Sequence, residues 1–259
     1  MTPYVALQLY TVRDLLPQDL TGTLEKVAAI GYAGVETAFF SEQVTPVQVA
    51  KLCRDLDLTI VAAHCEIPLG EQKKAVLDLV DTLNCSRIIW HGWPRDEGYS
   101  SVDGIKRLAE RYNEANTVAR AHGLQFGLHN HWWEFELAEG HYPYQLLLEY
   151  LEPGIFFELD TYWVKTAGLD PVKVLAELGD RVPLLHIKDG PARKDDPMVA
   201  VGEGVMDVKA IAQATGEVTE WMIVELDACA TDMLTAVEQS YRYLTQHGLA
   251  QGKTAKSHV

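Results

Sequence analysis

The chain of 259 residues contains no run of about 18 uncharged apolar residues, the length that a membrane-crossing helix requires. Basic residues are scarce: 22 Lys plus Arg stand against 37 Asp plus Glu, a formal net charge of -15. A field of that sign repels phosphate backbones and anionic bilayers, and no basic cluster interrupts it, so neither nucleic acid nor a membrane is expected as a partner. The four cysteines, Cys53, Cys65, Cys85 and Cys229, form no C-x-x-C pair. They read as free thiols of a reducing cytosol, in or near the core, with Cys65 beside His64 the one candidate nucleophile or ligand. No glycine-rich phosphate loop of the G-x-x-x-x-G-K type is present, and the first apolar stretch runs into QLYTVRDLL without a glycine. The N-terminus MTPYVALQLYTVRD reads as a strand carrying polar residues, not as a signal peptide, and a cytoplasmic location is expected.

What the chain does have is alternation. Eight β-rich stretches recur at 4–9, 34–39, 58–63, 87–91, 125–130, 156–160, 183–187 and 221–226. Between them lie segments at 20–30, 45–56, 70–83, 101–122, 143–151, 171–178, 208–215 and 230–246 whose apolar residues recur every three or four positions. Thr45-Pro46 and Asp170-Pro171 are helix-start signals, and Gly123 suits a helix end. Eight strand–helix units in a chain near 250 residues predict a closed (β/α)8 TIM barrel over 1–247, in preference to an open doubly wound sheet. The tail 248–259 is expected to be disordered. The stretch 189–204 is expected to be a long loop at the barrel mouth.

A barrel of this kind places its chemistry at the C-terminal ends of its strands. Those ends carry Gln8, Tyr10, Arg13, Glu36, His64, Trp90, His91, His129, Asn130, His131, Glu134, Glu158, Asp160, His186, Lys188, Asp189, Glu225 and Asp227. Imidazoles beside carboxylates are metal-binding chemistry, and a divalent cation relieves the repulsion within a carboxylate cluster. Asp160, His186 and Glu225 are the strongest candidates. The structural alternatives are a helix cap for Asp160, a satisfied core histidine for His186 and a buried ion pair for Glu225. Arg13 is read either as an anion contact for substrate or as an ion-pair partner of Asp14 or Glu36.

At the segments QLYTVRD (8–14), GYAGVE (31–36), HNHWWEF (129–135), ELDTYWVKTAGLDP (158–171), RVPLLHIKDG (181–190), VGEG (201–204) and IVELD (223–227) the sequence resembles the sugar phosphate isomerase/epimerase superfamily, the xylose-isomerase-like barrels. The resemblance implies one divalent metal held by Glu, Asp, His and Glu from strands five to eight. Asp160, His186 and Glu225 match the last three. Strand five departs from the pattern, carrying His129-Asn130-His131 where a glutamate is expected. Glu134 is favoured as the fourth ligand, with His129 and His131 as alternatives. Such a set suits Mn2+ first, with Mg2+, Co2+ or Zn2+ as alternatives.

The expected reaction is isomerisation or epimerisation of a keto-sugar or polyol, by proton transfer through a metal-stabilised enediolate. The alternative is elimination or hydrolysis on a 3-keto-glycoside or inosose. Glu225, Glu134, His131 and Lys188 are the expected catalytic groups. Tyr10, Arg13, His64, Trp90, His129, Trp133 and Trp163 are the expected substrate contacts. An abasic-site nuclease is opposed by the net charge, and a non-catalytic barrel by the polar strand ends. Association into a homo-oligomer is left open.

Overall fold

A computed structural model of the protein describes residues 2–253. Eight strands run parallel and close on themselves in sequence order: β1 (Tyr4–Gln8), β2 (Gly34–Thr37), β3 (Thr59–Cys65), β4 (Arg87–Trp90), β5 (Gln125–His129), β6 (Phe156–Asp160), β7 (Leu184–Ile187) and β8 (Trp221–Val224). The ring closes where Tyr4, Val5, Ala6 and Leu7 pair with Trp221, Met222, Ile223 and Val224. The helices are α1 (Leu20–Ile30), α2 (Pro46–Asp55), α3 (Gln72–Leu83), α4 (Val102–Ala121), α5 (Pro143–Tyr150), α6 (Thr161–Thr166), α7 (Pro171–Leu178), α8 (Val208–Ala214) and α9 (Met233–Gln246). Thr45 starts α2 with a reciprocal capping box to Gln48, and Asp170 caps α7 ahead of Pro171.

Two apolar layers hold the molecule together. The larger lies between strands and helices. The smaller fills the lower barrel with Ala6, Val61, Ala62, Ile89, Phe156, Leu184 and Ile223. Gly127 belongs to this level because Phe156 takes its space: a Cβ there would stand 2.3 Å from that ring.

Side chains alternate along a strand, so the residue two positions on points to the same side. Applied to the lower layer, that rule gives Ala6 then Gln8, Gly34 then Glu36, Ala62 then His64, Ile89 then His91. It continues with Gly127 then His129, Phe156 then Glu158, Leu184 then His186, and Ile223 then Glu225. The barrel thus has an apolar floor and, directly above it, a polar layer whose eight members are all buried.

The structure departs from the sequence reading in two places. Helix α6 interrupts what reads as a β6–α7 loop, because Asp160 accepts hydrogen bonds from the backbone amides of Tyr162 and Trp163. The expected disordered tail is ordered as far as Lys253: Gln251 donates its amide to Pro3 and accepts from Val5, and Ala250 is buried. Residues 254–259 of that expectation lie outside the described residues. The stretch 189–204 is a loop organised by Asp189, whose carboxylate accepts from the amides of Gly190, Gly202, Gly204 and Met206.

Candidate metal and active site

Seven of the eight members of the polar layer, all but His91, form a connected network. Gln8 donates to Glu36 at 2.7 Å, and Glu36 meets His186 Nε2 at 2.7 Å and His64 Nε2 at 3.2 Å. Glu158 receives His64 Nε2 at 2.5 Å and His129 Nδ1 at 3.1 Å. The other face of His186 places Nδ1 2.7 Å from Glu225. Glu36 and Glu158 are fully buried, and each leaves its Oε1 without a hydrogen-bond partner.

Electrostatics separates the two deep carboxylates. Burial, then the charge of Glu158, pushes Glu36 up to about 8. Burial also works against ionised Glu158, but His186, His64 and His129 outweigh it and hold its carboxyl well below the usual range. His186 is the counterpart: burial disfavours its cation, and Glu158, Glu225 and Glu36 reverse that and raise it. Burial moves His129 the opposite way, down to about 3, so it is a neutral imidazole with a lone pair to offer.

One level higher sits Lys188. Its Nζ lies 3.0 Å from Asp160 Oδ2, 2.8 Å from Glu225 Oε2 and 2.7 Å from Asp227 Oδ2. Burial opposes its ammonium, but Asp160, Asp227 and Glu225 together keep it charged. Asp160 does two jobs: Oδ1 caps α6, and Oδ2 faces the cluster, where it pairs with Lys188. Burial pushes its carboxyl up to about 6 against the pull of Lys188.

Among the described residues two ligand sets are preassembled, each with donor atoms within 4.8 Å of one another: His129, Asp160, His186 and Glu225, and, deeper, His64, His129, Glu158 and His186. Both are buried and both mix imidazole with carboxylate, the donor chemistry of a divalent cation. The buried Glu158 Oε1, which has no hydrogen-bond partner, and Asp160 Oδ2, which faces a cation in Lys188, fit such an ion. Because the sets share His129 and His186, they are alternatives for one ion or a ligand shell with its supporting groups. An imidazole that ligates through one nitrogen donates through the other to a carboxylate, and Glu36, Glu158 and Glu225 are all placed to accept.

Above the clusters opens a cavity of about 350 Å3. Its wall includes Tyr10, His64, His129, His131, Trp163, Lys188 and Glu225, all expected from sequence, together with Phe39, His91, Trp93, Trp132 and Asp227. Lys194 and Asp195 reach it from the 189–204 loop, as expected of a mouth element. His131 stacks on Trp133 with ring centres 4.4 Å apart, and its Nδ1 has no hydrogen-bond partner. Burial, then His129 and Lys188, lowers its basicity and leaves it neutral.

Four expected site residues stand elsewhere. Glu134 does not join either ligand set; it turns back under its own loop to accept the His131 amide at 3.0 Å and lines a small space with Tyr99, Phe135 and Tyr144. His129 takes the place expected for it, since strand parity aims 129 into the barrel while 134 lies beyond the strand in a short 3-10 turn. Trp133 is buried beneath His131, and Trp90 packs against His91; neither lines the cavity. Arg13 donates to the backbone carbonyls of Tyr10 and Asp227, and among the described residues no ion pair joins it to Asp14 or Glu36. Phe39 and Trp93 were missed because they lie in loops past β2 and β4, where no periodicity fixes direction. The four cysteines are free, and burial pushes the Cys65 thiol up to about 12, which removes it as a nucleophile.

Among curated proteins, none matches the sequence. A solved sugar phosphate isomerase/epimerase from Parabacteroides distasonis superposes with a TM-score of 0.81 at 24% identity, covering 97% of this chain and 96% of that one. The probable 3-DHS dehydratase AsbF from Bacillus anthracis gives 0.73 at 16% identity, with 93% and 98% covered. A D-allulose 3-epimerase from Methylomonas sp. gives 0.71 at 14%, with 95% and 98% covered. At these identities the likeness is one of fold. The model of the xylose-isomerase-like TIM barrel family matches residues 24–247, nearly the whole ring of strands and helices described above, and the chain belongs to that family.

Proposed function

We propose that the protein is a divalent-metal-dependent isomerase or epimerase of a keto-sugar or polyol. The observation that carries this reading is the set His129, Asp160, His186 and Glu225, gathered within 4.8 Å at the base of the cavity. These four residues would hold the ion, which when bound supplies Lewis-acid polarisation of a substrate carbonyl. With His129 in place of Glu134, the donors become two imidazoles and two carboxylates. That balance moves the preferred ion from Mn2+ toward Zn2+ or Co2+.

The remaining chemistry belongs to the chain. His131 is neutral and lines the cavity, which places its imidazole to take the proton α to the carbonyl. Lys188, charged and lining the same cavity, donates to the oxygen on which negative charge grows as the enediolate forms. Trp132 and Trp163 wall the reacting carbon from water. A second reading, elimination or hydrolysis on a 3-keto-glycoside or inosose, uses the same groups with Lys188 protonating a leaving oxygen. The aromatic wall of the mouth favours it.

Incubation of candidate keto-sugars in deuterated water tests the reading. Label at the α carbon of recovered sugar, lost in His131→Gln, is the expected result. Release of water or an aglycone in place of label selects the second reading. Unlabelled, unchanged sugars across the panel, with no metal retained, refute both.

A further inference from the structure

A second cavity of about 240 Å3 adjoins the mouth, lined by Tyr10, Arg13, Leu16, Phe39, Phe40, Val44 and Ser41. Tyr10 and Phe39 line both cavities, so the two share a wall. Their characters differ. The main cavity rests on ionisable groups, whereas the side cavity is walled by rings and aliphatic carbons. Its one cation is already committed: Arg13 lies over the Tyr10 ring at 4.1 Å and donates to the carbonyls of Tyr10 and Asp227. That second bond ties the side wall to the residue whose carboxylate holds Lys188. Phe39 is 60% exposed, among the most exposed large apolar residues of the described chain, and it stands at the junction.

A free monosaccharide does not match this surface. Its hydroxyls would lose water against Tyr10, Phe39 and Phe40 and gain no partner there. A flat apolar group would gain instead, by covering aromatic surface that water now touches and by stacking on the rings. We propose that the side cavity is a subsite for an apolar planar group carried by the substrate: the sugar ring sits over the His129–Glu225 floor and an aryl substituent lies between Tyr10 and Phe39. This inference rests on the sugar-binding floor proposed above.

Titration calorimetry of the metal-loaded full chain with methyl and phenyl glucosides, both anomers of each, tests it. The phenyl compound is expected to bind at least about tenfold tighter than its methyl counterpart. In Phe39→Ala that ratio is expected to fall to near one; the exposed ring makes no core contact whose loss would unfold the chain. Equal affinities in the parent protein, or a ratio that survives Phe39→Ala, overturn the subsite. Failure of the floor has a different signature: phenyl binding that depends on Phe39 but is indifferent to Asp160→Asn. No binding of either glucoside overturns both.

Discussion

Nδ1 of His186 lies 2.7 Å from Oε2 of Glu225, while Nε2 of the same ring lies 2.7 Å from Glu36 across the barrel. The ring is therefore held from both sides. If Nδ1 serves the ion, Nε2 carries the proton and gives it to Glu36, which fixes both tautomer and plane. Glu36→Gln is expected to weaken metal binding by about 10–100-fold while the chain stays folded. Competition with a fluorescent chelator measures it, and an unchanged affinity would place the ion elsewhere.

Lys188 occupies the charge position between Asp160 and Glu225. An ammonium and a dication compete for the same oxygens. Lys188→Met is expected to bind metal about tenfold tighter and yet to lose 100-fold or more in turnover, since the donor to the developing oxygen is gone. Metal content by mass spectrometry and single-turnover rates separate the two effects. Weaker metal binding in this variant would contradict the competition.

Glu134 is a buried acid whose carboxyl is pushed by burial from 4.5 up to about 8. Between those values the folded chain holds a proton that the unfolded chain has released, so this group's contribution to stability falls as pH rises through the window and levels off above it. Glu134→Gln keeps an acceptor for the His131 amide and has no proton to lose. The variant is expected to match the parent near pH 4.5 and to exceed it by roughly 3–5 kcal/mol at pH 8. Urea melts of both proteins at a series of pH values provide the comparison; parallel profiles would show that Glu134 ionises freely.

Asp189 gathers four backbone amides of the mouth loop. Asp189→Ala leaves them without an acceptor, at a cost of about 3 kcal/mol or more. Because Lys194 and Asp195 ride on that loop into the cavity, turnover is expected to fall as well. Limited proteolysis between 190 and 206 reports the loosening directly. A protease-resistant variant with parent stability would mean the loop is held by other contacts.

Strand–helix alternation, the capping signals at Thr45 and Asp170, and the histidine-rich strand ends were all legible in the sequence, because each depends on local spacing. Strand parity was legible too, once one inward residue per strand is known: Gly127 predicts His129, and Leu184 predicts His186. Glu134 resisted such reading because it lies past the end of β5, where the chain turns and alternation no longer dictates direction.

The one-dimensional pattern thus determined a barrel with ionisable groups at one end. Tertiary structure alone decided which of those groups meet, since Glu36 and His186 are separated by 150 residues and touch only when eight strands close into a ring. Closure also gave Asp160 its two roles, one oxygen capping α6 and the other facing Lys188, turned Glu134 away, and set Phe39 beside Tyr10. Spacing along a chain fixes the side from which a residue projects; the distance across a barrel depends on every strand at once.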